Sequence, residues 1–100
     1  MLTAAKVDAN QPLIVAAMRS KGAYVHVCSQ LKNAWDVIVF FMGRIFIMEI
    51  KNPEYITKSK PLEASLTEGE RKTREYIERT GNIYHIVTTP EQALQIIGAV

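Results

Sequence analysis

Cysteine is nearly missing from this chain: Cys28 is the only one. No disulfide can close within the chain, and a reducing, intracellular setting is the simpler expectation. Histidine is scarce as well. His26 and His85 stand far apart, with no further His or Cys at the short spacings that hold zinc, so a zinc site is not expected. Neither sign of charge is in large excess. Lys and Arg number 12 against 10 Asp and Glu, a formal net charge of +2. That permits an acidic partner without the basic surplus common in dedicated nucleic-acid binders. The start, "MLTAAKVDANQP", lacks the apolar stretch of a signal peptide. The longest apolar run, Val37 to Ile50, is too short to span a bilayer and is broken by Gly43-Arg44. Repeats and low-complexity tracts are absent. The expectation is a soluble protein with no membrane attachment.

What is present reads as one globular domain over residues 1–100, with 48% hydrophobic and 22% charged residues. "NQPLIVAAMRSKG" opens with Asn10, a good N-cap, and Pro12 in the first turn. Leu13, Ile14, Ala17 and Met18 then fall at helical spacing, and Gly22 stops the helix. "AYVHVCSQL" alternates as a strand does. Residues 35–41 and 44–51 are β-branched and aromatic runs around Met42-Gly43, which predicts a hairpin. Both its faces are apolar, so a central place with helices on each side is expected. "NPEYITKSKPLEAS" is a loop. Thr67 and Glu70 make a capping box for a second helix, "NIYHIVTT" is a fourth strand, and Thr89 to Gln92 caps a third helix. The order is α-β-β-β-α-β-α, an α/β sandwich around a mixed sheet.

Within "WDVIVFFMGRIFIMEIKN" three charges interrupt an otherwise greasy segment. Turning the chain at Met42-Gly43 sets Phe41 opposite Arg44, and the same register sets Asp36 opposite Glu49. Opposed side chains share a face at roughly 4.5–5.5 Å between Cβ atoms. Lys51, two residues beyond Glu49, falls on that face too. Two carboxylates so close repel unless a cation lies between them. Hard divalent metals favour oxygen ligands, and Mg²⁺ takes one or two carboxylates with water and substrate phosphate. Asp36, Glu49 and the Ile50 carbonyl are therefore candidate ligands. Lys51 is placed to orient an attacking water or steady charge on a phosphate. An ion-pair cluster in which Lys51 merely neutralises two acids fits the same residues.

An Asp on one strand and Glu-x-Lys on the next, between a leading and a trailing helix, resembles the PD-(D/E)XK nuclease superfamily. More narrowly, "DANQPLIVAAMRSKGAYV", "WDVIVFFMGRIFIMEIK", "LTEGERKTREYI" and "TPEQALQIIG" resemble, in order, the phage and prophage standalone proteins of the VRR-NUC family. The resemblance implies a restriction-endonuclease-like fold and a DNA endonuclease dependent on Mg²⁺ or Mn²⁺. Asp36 and Glu49 would hold the metal with the Ile50 carbonyl, and Lys51 would serve the attacking water. It also implies a homodimer acting on branched DNA of the Holliday-junction type, in the cytoplasm of a bacterium or phage-infected host. Two departures stand out. Trp35 replaces the family's usual proline before the motif Asp, and Gln11, with Asp8 nearby, stands about where the family often has a Glu on its first helix.

Lys32 and Asn33 before the motif, and Lys58 and Lys60 after it, are candidate phosphate contacts together with Gln11. Helix 2 mixes Arg71, Lys72, Arg74 and Arg79 with Glu70, Glu75 and Glu78, the pattern of a salt-bridged exposed face. Cys28 reads as a small buried hydrophobe and Trp35 as a packing residue. Two other readings remain at this point. One is a non-catalytic DNA-binding module of the same fold, the other an α/β interaction domain with an ion-pair cluster.

Overall fold

The turn at Met42-Gly43 organises the sheet. Both residues take positive φ, 52° and 75°, the backbone that lets a two-residue connection follow the strands' right-handed twist. The computed structural model describes residues 9–31 and 33–100. Its elements in chain order are α1 (Gln11–Ser20), β1 (Tyr24–Val27), β2 (Val37–Phe41), β3 (Arg44–Ile50), α2 (Glu68–Arg79), β4 (Tyr84–Val87) and α3 (Pro90–Ile97). Two short 3-10 turns, Pro53–Tyr55 and Leu62–Ser65, lie in the connection after β3. This is an α/β domain with the expected element order.

The strands lie in the order β1-β2-β3-β4, with β1, β2 and β3 antiparallel and β4 parallel to β3. The sheet is thus mixed, with the hairpin strands as its two inner members. Phe41 pairs with Arg44 and Val37 with Met48, the register that the turn dictates.

One face carries the core. Val25, Val37, Val39, Phe46, Met48, Ile50 and Val87 meet Ile14, Val15 and Met18 of α1 and Ala93 and Ile97 of α3. The buried stripe of α1 is 11, 14, 15, 18. Leu13, assigned to that stripe by spacing, instead faces outward at 66% exposure. The shift matters because it brings Gln11 inside. Met48 has no exposure at all. Met48→Ala is expected to lower unfolding stability by about 2–5 kcal/mol, read from the urea midpoint at unchanged slope.

The other face differs from expectation. α2 packs against β4 and contributes no fully buried residue. It leaves the far side of the hairpin open: Tyr24, Phe40 and Ile45, neighbours across three strands, are 63%, 42% and 65% exposed. Helices therefore cover one face of the hairpin and only part of the second. The reason is placement: the sheet contacts of α2 centre on β4, the edge strand farthest from β1.

Two capping expectations also change. Asn10 makes no side-chain cap on α1. Its amide instead donates to the carbonyls of Lys51 (3.0 Å) and Thr88 (2.9 Å), clamping the helix start to the ends of β3 and β4. Thr89 does cap α3 through the Gln92 N–H, but the Gln92 side chain turns to Thr88, so the box is only half formed.

Candidate active site

Asp36 ends the β2–β3 ladder. Its N–H donates to the Met48 carbonyl (3.0 Å). The next β3 donor on that side, the Ile50 N–H, finds no further β2 carbonyl and donates to Asp36 Oδ2 at 2.7 Å. β3 runs on against β4, where the Lys51 N–H donates to the Val87 carbonyl. The last paired residues are thus Val37 and Met48. Asp36 does not lie squarely opposite Glu49, as the continued register predicts, but reaches along β3 past it. The two acids remain close enough for Asp36 to push the Glu49 pKa upward. In a strand a residue's N–H and carbonyl point the same way. The Ile50 carbonyl therefore faces the side on which β2 has ended, while the Ile50 side chain is in the core.

Glu49 alternates with core residues Met48 and Ile50, which sends its side chain to the opposite face, beneath α2. It is 6% exposed. Tyr84, whose hydroxyl lies 3.2 Å from Glu49 Oε1, closes it in from β4. Lys51 Nζ stands 3.5 Å from Glu49 Oε2 and 2.9 Å from Glu70 Oε1. Among the described residues Lys51 thus stands between Glu49 and Glu70, with Asp36 acting on Glu49 from the β2 side.

The electrostatics follow from that arrangement. Burial, the Asp36 charge and a hydrogen bond shared with Glu70 push the Glu49 pKa up to about 9, against a smaller lowering by Lys51. Without a bound metal, Glu49 thus holds its proton far more tightly than an ordinary carboxyl. Burial acts against the charged form of Lys51, but the hydrogen bond with Glu70 and the Glu49 charge outweigh it and raise the amine above its ordinary value. Burial works against Glu70 ionising too, and hydrogen bonds from Thr67 and Lys51 overcome it, so Glu70 falls below the usual range. Tyr84 is raised by burial and the Glu49 charge, and stays protonated.

Gln11 stands one step behind the acids. It is 4% exposed and its Nε2 donates to Ser29 Oγ at 2.9 Å. Ser29 Oγ in turn lies 3.5 Å from Asp36 Oδ1, a long contact. Gln11 thus reaches Asp36 through a hydroxyl. Asn33 sits at positive φ and gives its carbonyl to the Thr73 hydroxyl, while its side chain packs over Gly69. It joins the pre-motif loop to the start of α2. Lys58 and Lys60 are exposed on a turn closed by mutual Thr57–Lys60 backbone bonds. Neither side chain meets the acids among the described contacts. Lys32 and Asp8 lie outside the described residues. α2 carries the expected exposed ion pairs, Lys72 with Glu68 and Arg74 with Glu78. Cys28 is buried, and Trp35 lies half-buried just before β2.

Two members of the cluster had no functional reading in the sequence. Glu70 was accounted for by its capping box, which it does form: Thr67 N–H donates to Glu70 Oε1 and Glu70 N–H to Thr67 Oγ1. Tyr84 carried only a strand signal. A parallel β3–β4 register would have placed it on the Glu49 face, and that register depends on packing.

Among the described residues no three His, Cys, Asp or Glu side chains form a ready metal cage. A hard cation here would rest on Asp36, Glu49 and the Ile50 carbonyl, with water or substrate oxygens completing its shell. The donor set fits such an ion: it is all oxygen, and burial together with the Asp36 charge makes the Glu49 carboxylate costly to ionise unless a cation joins it. No described helix is long and apolar enough to cross a membrane. Comparison with family models, with curated proteins and with solved structures finds no match.

Proposed function

We propose that this domain is a divalent-metal-dependent DNA endonuclease of the restriction-endonuclease-like fold. The observation that carries the reading is the meeting of Asp36, buried Glu49 and Lys51 where β3 parts from β2. It is supported by the resemblance of the strand-pair motif to the VRR-NUC nucleases. Mg²⁺ or Mn²⁺, held by Asp36 and Glu49 with the Ile50 carbonyl, supplies Lewis-acid stabilisation of charge at the phosphate. Lys51 orients the attacking water and donates to the oxygen that gains charge. Gln11 and Ser29 steady Asp36, and Tyr84 steadies Glu49, which is how supporting bonds hold ligands in place. Lys58 and Lys60 meet the DNA backbone beside the site. The substrate is branched DNA of the junction type, and two copies pair so that each cuts one strand.

The test is cleavage of labelled four-way junction, flap and linear duplex, with Mg²⁺, Mn²⁺ or EDTA. Metal-dependent cutting of the junction in preference to the duplex is expected. Asp36→Ala should lower it by about a hundredfold or more. Binding without cleavage under every metal condition points to the non-catalytic DNA-binding module. Neither binding nor cleavage points to an interaction domain, for which the Glu49–Lys51–Glu70 ion pairs are the favouring observation.

A further inference from the structure

We infer that Glu70 is a positioning residue. It draws the Lys51 ammonium off Glu49 and so leaves the Asp36–Glu49 pair able to take a divalent cation. The inference rests on the metal-nuclease reading and adds to it a part for a helix α2 side chain.

The ammonium stands 3.5 Å from Glu49 Oε2, the oxygen not engaged by the Tyr84 hydroxyl, which lies at Oε1. Ammonium and divalent cation repel, so a cation enters only if Lys51 shifts toward another anion. Glu70 is already the nearer one, at 2.9 Å. Nor is Glu70 free to swing away. The oxygen that accepts from Lys51 also accepts from the Thr67 N–H at 2.9 Å, and the Glu70 N–H returns a bond to Thr67 Oγ1 at 3.1 Å. The start of α2 therefore fixes this carboxylate. The Lys51 backbone is fixed as well, its N–H bonded to Val87 and its carbonyl to the Asn10 amide. Only the flexible arm of Lys51 can move, and its travel is limited to the gap between two acids.

Substitution can separate the charge of Glu70 from its capping role. Glutamine at the same position keeps the reciprocal cap and loses the charge. Mn²⁺ is titrated calorimetrically into wild type, Glu70→Gln, Lys51→Met and the double variant, each with its thermal midpoint. Glu70→Gln is expected to keep its midpoint and to bind Mn²⁺ about tenfold more weakly, a coupling ordinary for groups in one ion-pair network. Lys51→Met should bind Mn²⁺ more tightly than wild type, and the double variant should match it, because the effect of Glu70 passes through Lys51. Thr67→Ala loosens the cap without touching the charge and should hold Mn²⁺ within about twofold of wild type. Two results overturn the inference alone: unchanged Mn²⁺ affinity in Glu70→Gln, or equal weakening in the Lys51→Met background, which would make Glu70 act on the cation directly. Junction cleavage is measured alongside. A wild type that binds Mn²⁺ and cuts no DNA overturns the nuclease reading while the calorimetric cycle still decides on Glu70. A wild type that binds no Mn²⁺ overturns both.

Discussion

Lys51→Met is expected to lower metal-dependent junction cleavage by about a thousandfold, the scale for removing one preorganised donor or proton-transfer group. Among the described residues the amine belongs to the only cation that contacts Glu49 and Glu70. Methionine keeps most of the stem's length and its apolar packing, so the loss isolates the charge and its donors. On the proposed nuclease reading the lysine serves the reacting phosphate and not the wider contact, so DNA affinity should stay within a few-fold of wild type. Single-turnover cleavage with saturating enzyme separates the two: the rate constant falls and the half-saturation point holds. A variant that cuts at the wild-type rate removes Lys51 from the chemistry and leaves it as a counter-ion. A variant that cuts normally once bound but binds poorly makes it a phosphate contact.

The second large effect is on stability and its pH dependence. Without divalent metal, the domain should lose up to about 3 kcal/mol of unfolding stability between pH 6.5 and 9. Glu49 is held up to about 9 in the fold and titrates near its ordinary value once unfolded. Between those values the folded state keeps a proton that the unfolded state has released, so stability falls as pH rises. The limit is about 1.4 kcal/mol per pH unit. The other shifted groups act elsewhere. Burial lowers the His85 pKa below 6.5, so its penalty is confined to more acid conditions. Glu70 is lowered, and its contribution is lost only as pH falls below the usual carboxylate range. Lys51 is raised, and its contribution is lost only above 10.5. Tyr84 is raised, and its penalty begins only above 10.

Glu49→Gln should flatten this profile. An amide of the same shape still meets the Tyr84 hydroxyl and carries no charge to desolvate. At pH 8.5 in EDTA the variant should be more stable than wild type. Mn²⁺ should stabilise wild type increasingly as pH rises, since a cation binds the ionised carboxylate, and should leave the variant unmoved. Urea midpoints at pH 6.5, 7.5 and 8.5, with EDTA and with Mn²⁺, check this. If the two proteins track each other across that range, Glu49 is not the buried acid of this cluster.

Several features of this arrangement were legible in the chain itself. A two-residue turn at Met42-Gly43 joined to a strand period of two leaves one register, and it holds from Phe41–Arg44 to Val37–Met48. Thr67 and Glu70 announce the start of α2 because a capping box is made of residues three apart. These are short-range rules, and each rests on bonds the chain makes with its near neighbours. The gathering of Asp36, Glu49 and Lys51 at one end of the hairpin follows from them.

Other features depended on which element packs on which. Asp36 slips past its expected partner because the β2 ladder ends at Val37 while β3 runs on along β4 at its other edge, leaving the Ile50 N–H to the Asp36 carboxylate. Asn10, a good cap by type, becomes a clamp on Lys51 and Thr88 because two carbonyls from distant strands converge above it. The open face of Tyr24, Phe40 and Ile45 exists because α2 sits to one side. Glu70, 19 residues from Lys51, joins the cluster for the same reason. Period, turn and cap determine an element and the face on which a residue falls. Which faces then meet is decided by burial summed over the whole chain, and that sum set the third acid beside the amine.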